Sequence, residues 1–288
     1  MVKVLQTGFF TSVQDLGRFG YQQYGVPYAG VMDERAALIA NLLLGNTKNN
    51  AVLEFTMTGP KLQFLCTTKI CISGGDFQPK LNNIPINNNS VIVVKEDDIL
   101  SFGAKKSGFR GYIAVLGGFL TDVVMKSRSM FKNVTQHQTI QKNLLLPIKN
   151  AVTIEKQSNA SLAVNNVYLE EKIITAHKGP EFHKLTIQQQ KKLLNAGFTV
   201  SKNNSRMAYQ LTELLPNTLE PIITSVVLPG TVQLTPSGQL IILMKDCQTT
   251  GGYPRVLQLS NTAKNILAQK FTGDKIAFAL SEKFKTKN

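Results

Sequence analysis

The chain has 288 residues and a formal net charge of +14 at pH 7, from 32 Lys and Arg against 18 Asp and Glu. Hydrophobic residues make up 43% of it, enough for a buried core, which excludes a disordered or fibrous protein. No apolar run approaches the roughly 18–20 residues that span a bilayer, and the first residues lack the apolar segment of a secretory signal. Three cysteines are too few for a disulfide scaffold. We therefore expect a cytoplasmic protein that does not enter a membrane.

The positive charge is spread along the chain. Of the 32 basic residues 26 are lysine and 6 are arginine, and no five-residue block is solidly basic. A nucleic-acid footprint should cluster on one face or helix, so we predict no nucleic-acid partner. The arginines are more informative, because the planar guanidinium makes bidentate contacts that lysine cannot imitate. They are Arg18, Arg35, Arg110, Arg128, Arg206 and Arg255.

Short β-branched or alternating runs between turn residues predict a mainly β fold. In chain order the predicted strands are residues 52–57, 69–73, 90–94, 99–102, 111–116, 167–176, 231–234, 240–245 and 275–280. The stretch 231–245 is typical of a hairpin that turns at Pro236-Ser237-Gly238. Three helices are predicted at 33–44, capped by Asp33, at 186–196, capped by Thr186, and at 261–269.

Residues 126–166 are predicted to form a long connection, because glycine is absent there and polar residues dominate. A weak internal repeat favours two similar units. GPKLQF at 59–64 returns as GPEFHKL at 179–185, and DDILSF at 97–102 returns as GDKIAF at 273–278. We therefore predict two domains, residues 1–157 and 158–288.

Four stretches combine charged or amide side chains with glycine or a polar turn. The strongest is DCQTTGGYPR at 246–255, which follows a predicted buried strand. Its adjacent glycines predict a nest in which backbone N–H groups approach an anion. The other three are SVQDLGR at 12–18 together with the helix start at Asp33, SGGD at 73–76, and SRMAYQ at 205–210.

Other kinds of site are not indicated. The three histidines and three cysteines show none of the usual metal-binding spacings, so we predict no metal site. Residues 103–108 have the glycine spacing of a phosphate loop, but Phe109-Arg110 replaces the required Lys-Ser/Thr. Cys247 has no histidine in its sequence context to activate the thiol, so we predict that it takes no part in the chemistry.

Together these stretches resemble the family of allophanate hydrolase subunit 2, KipA and the C subunit of 5-oxoprolinase, which is related to the carboxyltransferase region of urea carboxylase. The matching segments follow the family order over nearly the whole chain, and include TSVQDLGRFGYQQYGVPYAGVMD, LEFTMTGPKLQF, FRGYIAVLGG, SRMAYQL and GTVQLTPSGQLIILMKDCQTTGGYPRV. The resemblance implies two cyclophilin-like β-barrel units with a few short helices. After SRS the family often has a glycine-rich stretch, where this chain reads MFKNVTQHQTIQKN.

The resemblance also implies one subunit of an ATP-dependent 5-oxoprolinase, which opens the lactam 5-oxoproline to glutamate. ATP, with Mg, would be the cofactor. The partners would be a KipI-like protein resembling the B subunit of 5-oxoprolinase and a LamB/YcsF-like protein resembling its A subunit. One alternative is a biotin-dependent carboxyltransferase acting on urea-like amides; because Ala-Met-Lys-Met is absent, no biotin would be attached to this chain. The other is a non-enzymatic KipA-type regulator that binds a KipI-like kinase inhibitor.

The same resemblance assigns roles to residues of these stretches. Asp33 or Asp246 would orient the lactam or a metal-bound nucleotide, and Arg206 would steady a phosphate or carboxylate; these three are the predicted catalytic residues. Phosphoryl activation of an amide depends on such positioned charges. The predicted substrate- or nucleotide-binding residues are Gln14, Asp15, Arg18, Asp76, Arg128, Gln233, Gln248, Thr249, Thr250, Gly251, Gly252 and Tyr253.

Overall fold

The structure of the chain, a computed structural model, describes residues 1–149 and 164–281. Its contacts divide it into two compact units, one made of Met1–Gly20 and Tyr28–Glu170, the other of Tyr21–Pro27 and the described residues from Glu171 onward. The predicted boundary at 157/158 lies outside the described residues. Twenty strands and three α-helices occur in the described part, which confirms the mainly β class. In that part no helix is long and apolar enough to cross a membrane.

The first unit is built from two antiparallel β-sheets. Its strands are β1 (Val2–Gln6), β2 (Phe10–Gln14), β3 (Val52–Thr56), β4 (Lys61–Phe64), β5 (Thr68–Asp76), β6 (Pro79–Leu81), β7 (Ile84–Pro85), β8 (Ile92–Val94), β9 (Ile99–Phe102), β10 (Ser107–Val115) and β11 (Leu145–Leu146). One sheet has the order β11-β1-β4-β9-β6-β7 and the other β2-β3-β10-β5-β8. The resemblance implied a barrel here, but the hydrogen bonding links the strands into two separate sheets.

The core of this unit contains the apolar side chains of both sheets. Phe55 and Ile113 of the five-stranded sheet and Leu62 and Phe64 of the six-stranded sheet belong to one fully buried cluster. Helix α1 (Glu34–Leu43) packs its alanine-rich face on the five-stranded sheet. The small side chains allow the helix to approach the sheet closely, which places the start of α1 beside β3 and β10.

The described part of the second unit has nine strands, seven of which form a closed barrel. Its strands are β12 (Ile173–Lys178), β13 (Gly197–Asn204), β14 (Ala208–Leu211), β15 (Ser225–Val226), β16 (Thr231–Leu234), β17 (Leu240–Leu243), β18 (Thr250–Gly251), β19 (Arg255–Leu259) and β20 (Lys275–Leu280). The barrel order is β12-β19-β16-β17-β14-β13-β20, and a parallel pairing of β12 with β20 closes it. Strands β15 and β18 form a separate two-stranded ribbon.

The predicted helices are confirmed to within a residue or two. Asp33 caps α1, and Thr186 forms a capping box with Gln189 at the start of α2 (Ile187–Asn195). Helix α3 (Asn261–Ala268) begins after a capping Ser260. The predicted strand 167–176 is wrong in its first half, which is a 3-10 turn at Val167–Leu169. The hairpin at 231–245 is confirmed as β16 and β17.

Candidate functional site

Asp15 is the centre of a buried network in the first unit. Its Oδ1 accepts hydrogen bonds from Ser127 Oγ and Ser129 Oγ, each at 2.7 Å, and from Gly17 N at 2.9 Å. Its Oδ2 accepts from Arg128 N at 2.7 Å. Bonds from four donors to one carboxylate are charge-assisted and strong. Asp15 therefore fastens the SRS motif at 127–129 to the DLGR turn.

Gln14 and Arg18 act on the backbone of the same segment. The Arg18 guanidinium is fully buried, and it donates from Nε to Val124 O at 3.1 Å and from Nη2 to Ser129 O at 2.7 Å. Gln14, also fully buried, donates from Nε2 to Met130 O at 3.1 Å. These two residues, predicted to bind a ligand, here shape residues 124–130.

The segment that they hold forms one wall of a pocket of about 200 Å³. We call this cavity the Arg128 pocket. The Arg128 guanidinium donates to the carbonyl oxygen of Thr121, and Thr121 Oγ1 is buried without a hydrogen-bond partner among the described residues. The pocket is lined by Thr121, Asp122, Val124, Arg128, Met130, Thr135, Gln136, His137, Leu144, Leu145, Leu146 and Pro147.

Asp33 lies in a second buried network of the first unit. Its Oδ1 accepts from Ala36 N at 3.0 Å, which caps α1, and its Oδ2 accepts from Tyr168 Oη at 2.7 Å. Asp33 N donates to Tyr112 Oη at 2.8 Å, and Tyr112 Oη donates to Glu54 Oε2 at 2.9 Å. Burial, reinforced by these carboxylates, raises the pKa of both tyrosines. The hydroxyls thus remain donors, and Asp33, itself fully buried, fixes the start of the helix.

Asp76 lies at the end of β5, in a separate polar pocket of about 750 Å³. Its Oδ2 is 3.9 Å from Lys106 Nζ, and this pair is exposed enough to contribute little stability. The carbonyl oxygen of the Asn88 side chain is buried there without a partner in the described part. Among the described lining residues, Lys106 is the one cation, against the two carboxylates of Asp76 and Glu170. That charge balance disfavours a polyphosphate.

Arg206 and Asp246 form a bidentate ion pair in the second unit. Arg206 Nε lies 2.9 Å from Asp246 Oδ2, and Arg206 Nη2 lies 3.0 Å from Asp246 Oδ1. The two side chains are 6% and 12% exposed. Asp246 N also donates to Arg206 O at 2.9 Å. The two predicted catalytic residues of this unit are therefore in contact, and each satisfies the other.

A second bidentate pair, Arg255 with Glu181, lies in the same unit. Arg255 Nε and Nη2 donate to the two Glu181 carboxylate oxygens at 3.0 and 2.9 Å. These hydrogen bonds hold the pKa of Glu181 below its ordinary value. Arg255 Nη1 donates to Val226 O at 3.0 Å. The pair thus supports the ribbon strand β15.

The glycines of QTTGGY lie in and beside this ribbon. Gly251 pairs with Ser225 in the ladder between β18 and β15. Neither Gly251 nor Gly252 has a φ in the left-handed range, so the predicted anion nest is not formed. A Cβ on Gly251 would lie 2.6 Å from Nε2 of the buried Gln233, which donates to Tyr253 O at 3.4 Å. Gln233 therefore packs directly against the ribbon, and a Cβ at 251 would displace its side-chain amide.

The residues before the glycines differ in exposure. Thr250 is exposed, while Thr249 accepts a backbone hydrogen bond from Val227 N at 3.1 Å. The Oε1 of Gln248 is buried, and no described residue donates to it. Cys247 is 2% exposed, and burial raises the pKa of its thiol to about 12. The thiol is protonated at neutral pH, which makes it a poor nucleophile.

Neither of the two glycine-containing stretches considered from the sequence forms a nucleotide cradle. Residues 103–108 join β9 to β10 without opening a helix, and the Gly251-Gly252 pair lies along the ribbon. Throughout residues 1–149 and 164–281 no group of three His, Cys, Asp or Glu side chains could hold a metal ion.

The structure brings Gln14, Asp15, Arg18 and Arg128 together in the first unit. Asp33 is anchored by a different network there, and Asp76 lines a different pocket. The second unit joins Arg206 to Asp246, and Gln233 to the ribbon. Several hydrogen-bond partners of these residues were not predicted from the sequence. They are Glu54, Tyr112, Ser127, Ser129, Tyr168 and Glu181. The serines could have been found, since they flank Arg128 in the SRS motif.

Known proteins are similar to this chain over nearly its whole length. A family model described as carboxyltransferase domain, subdomain A and B, matches residues 24–280. The C subunit of the 5-oxoprolinase of Escherichia coli K12 is 32% identical over 282 residues, which cover 96% of this chain and 90% of that protein.

Two solved structures are similar to this fold. TTHA0988 superposes with a TM-score of 0.86 at 24% identity, over 96% of this chain and 55% of that one. The urea amidolyase of Kluyveromyces lactis superposes with a TM-score of 0.83 at 26% identity, over 96% of this chain and 18% of that one. This chain therefore spans little more than half of the first protein and under a fifth of the second.

Proposed function

The chain belongs to the carboxyltransferase domain family, subdomains A and B, as its motifs predicted, and from this membership we propose that it is the C subunit of an ATP-dependent 5-oxoprolinase. The reaction converts 5-oxoproline, ATP and water into glutamate, ADP and phosphate. The likeness to the C subunit of a 5-oxoprolinase over nearly the full length of both chains carries the proposal. Activity requires a complex with a KipI-like B subunit and a LamB/YcsF-like A subunit.

ATP, when bound, would supply the phosphoryl group that activates the lactam for attack by water. This chain contributes positioned side chains to that reaction. The Arg206–Asp246 pair fixes the backbone just before the QTTGGY segment, so that Gln248 and Thr250 are presented by an anchored loop. We propose that the partner proteins supply most of the ATP and magnesium contacts, since neither the stretch 103–108 nor Gly251-Gly252 of this chain forms a nucleotide cradle.

The test is reconstitution of the purified chain with its two partner proteins, measuring ATP-dependent glutamate and phosphate release from 5-oxoproline. We expect turnover that needs this chain. Asp246→Asn breaks one half of the bidentate pair and moves the loop. Because a displacement of about 1 Å costs about 100-fold in rate, kcat/KM should fall by that order.

Glu213→Gln is the matched control. It also removes a carboxylate of the second unit that accepts two hydrogen bonds, here from Thr199 N and Thr199 Oγ1, but it lies outside the proposed machinery. Unchanged turnover in the Asp246 variant, or an equal loss in both variants, would refute the role of Asp246. An inactive complex that still binds the KipI-like protein would favour a KipA-type regulator.

A biotin-dependent carboxyltransferase acting on urea-like amides is the second candidate, favoured by the fold likeness to a urea amidolyase. Such an activity needs a biotinylated carrier from another protein. Complexes isolated from cells should then contain an avidin-reactive partner, and the chain should support carboxylation of urea. Absence of both would remove this candidate.

A further inference from the structure

We propose that the Arg128 pocket binds the carboxylate of a small organic acid with a compact apolar body. The identification of that acid as 5-oxoproline rests on the proposed function. The existence of the carboxylate site does not, because it is argued from the pocket itself.

The Arg128 guanidinium is the binding group. Among the described residues, its side chain donates a hydrogen bond to the Thr121 carbonyl only, and its remaining N–H groups are available at the pocket. A guanidinium fork recognises a carboxylate through parallel hydrogen bonds that lysine cannot make. Thr121 lines the same pocket, and its side-chain hydroxyl is buried without a partner in the described part.

Apolar lining residues select the body of the ligand. Met130, Leu144, Leu146 and Pro147 present apolar surface to the pocket. Asp122 lies at the rim and offers an acceptor for an N–H group of the ligand. A lactam acid combines these features, since it has a carboxylate, an N–H group and two methylene groups in one ring.

The volume limits the size of the ligand. A cavity of about 150 Å³ holds benzene, so the 200 Å³ of this pocket admits a five-membered ring with a carboxylate. Drug-sized ligands occupy pockets of about 300–1,000 Å³, and a nucleotide belongs to that larger class. The pocket therefore has room to enclose the acid but not a whole nucleotide.

The site is held rigid before the ligand arrives. Asp15 fixes the backbone of Arg128 and its two flanking serines, and Arg18 fixes the carbonyl oxygen of Val124. Little conformational entropy is then lost when the ligand binds. The DLGR and SRS motifs thereby acquire a shared purpose, which is to position the guanidinium.

The experiment is isothermal titration calorimetry of the full chain with 5-oxoproline, cyclopentanecarboxylate, 2-pyrrolidinone and ATP at millimolar concentration. Both carboxylates should bind, whereas 2-pyrrolidinone, which lacks the carboxylate, and ATP, which is too large, should bind at least 10-fold more weakly. Arg128→Gln should weaken carboxylate binding at least 10-fold. Arg128→Lys, which keeps the charge and loses the fork, should fall between that variant and the natural chain.

Lys132→Gln is the matched control, because it removes an exposed positive charge of the same loop outside the pocket and should leave the Kd unchanged. Thermal melts establish that each variant is folded. Equal carboxylate affinity of Arg128→Gln and the natural chain would overturn the proposal. So would equal binding of 5-oxoproline and 2-pyrrolidinone, or no carboxylate binding to the folded chain. Carboxylate binding through Arg128 without turnover in the reconstituted complex would leave this site standing and refute the proposed function.

Discussion

Replacement of Asp15 by Asn tests whether one carboxylate holds the wall of the Arg128 pocket. The change keeps the side-chain size and replaces one accepting oxygen by a donating NH₂ group. If that group faces Arg128 N, a charge-assisted bond of about 1.5–3 kcal/mol is lost, and the bonds from Ser127, Ser129 and Gly17 lose their charge assistance. We expect the free energy of local opening at 127–129 to fall by about 3 kcal/mol, which is about 100-fold in the opening equilibrium.

Hydrogen–deuterium exchange of the full chain measures this opening directly. Amides of the segment 124–130 should exchange about 100-fold faster in the variant, while the barrel segment 231–243 of the second unit serves as an internal reference and should not change. Glu96→Gln, at an exposed acidic residue, should alter neither segment, as surface changes stay within about 0.5 kcal/mol. An increase below about threefold at 127–129 would show that Asp15 is not the residue that holds this wall.

Two further predictions concern titratable groups. Hydrogen bonds from Arg255 hold the pKa of Glu181 below its ordinary value. The ionised Glu181 side chain therefore contributes its full stability above about pH 4.3, the usual glutamate pKa. This stability is lost as the pH falls through the lowered pKa. The stability difference between the natural chain and Glu181→Gln in urea should thus narrow below that pH, and a constant difference would contradict this interpretation. Burial raises the pKa of Cys71 and Cys247 to about 12, so iodoacetamide at pH 8 should label the native chain once, at Cys66, and three times in denaturant. Rapid labelling of a native Cys66→Ser variant would show that Cys71 or Cys247 is accessible, which would contradict their burial.

Local signals were enough to predict the helices, because each begins at a residue that caps it from its own sequence neighbourhood. Asp33 bonds Ala36 N, and Thr186 bonds Gln189 N. Strand pairing, in contrast, depends on contacts between segments that are distant in the sequence. The parallel closure between β12 and β20 joins segments about 100 residues apart, and no local pattern specifies it. The first half of the predicted strand 167–176 is wrong for a similar reason, since the Tyr168 hydroxyl donates to Asp33 and the chain turns there.

In the candidate site, too, local sequence motifs predict some residues, whereas others are brought in by strand pairing. Arg128 could be predicted from the SRS motif, but the wall at 144–147 lies in a stretch predicted to be a polar connection. That wall exists because β11 pairs with β1 at the edge of a sheet. The prediction of an anion nest at Gly251-Gly252 was wrong. A glycine pair is equally compatible with a side chain that packs closely against the backbone, and here Gln233 packs against Gly251.

The arginines differ in how many of their guanidinium N–H groups are already hydrogen-bonded within the protein, and this difference indicates the role of each. Arg206 and Arg255 are occupied by bidentate carboxylates, and Arg18 by buried carbonyl oxygens. Arg35 donates to Asn165 O at 3.0 Å and stacks on a tyrosine ring. In such positions lysine would cost stability, because buried acceptors would lose their partners. Arg128 uses part of its fork on Thr121 O and presents the rest to a pocket. Substitution by lysine should therefore cost affinity for a carboxylate more than stability, and this difference separates a binding arginine from a structural one.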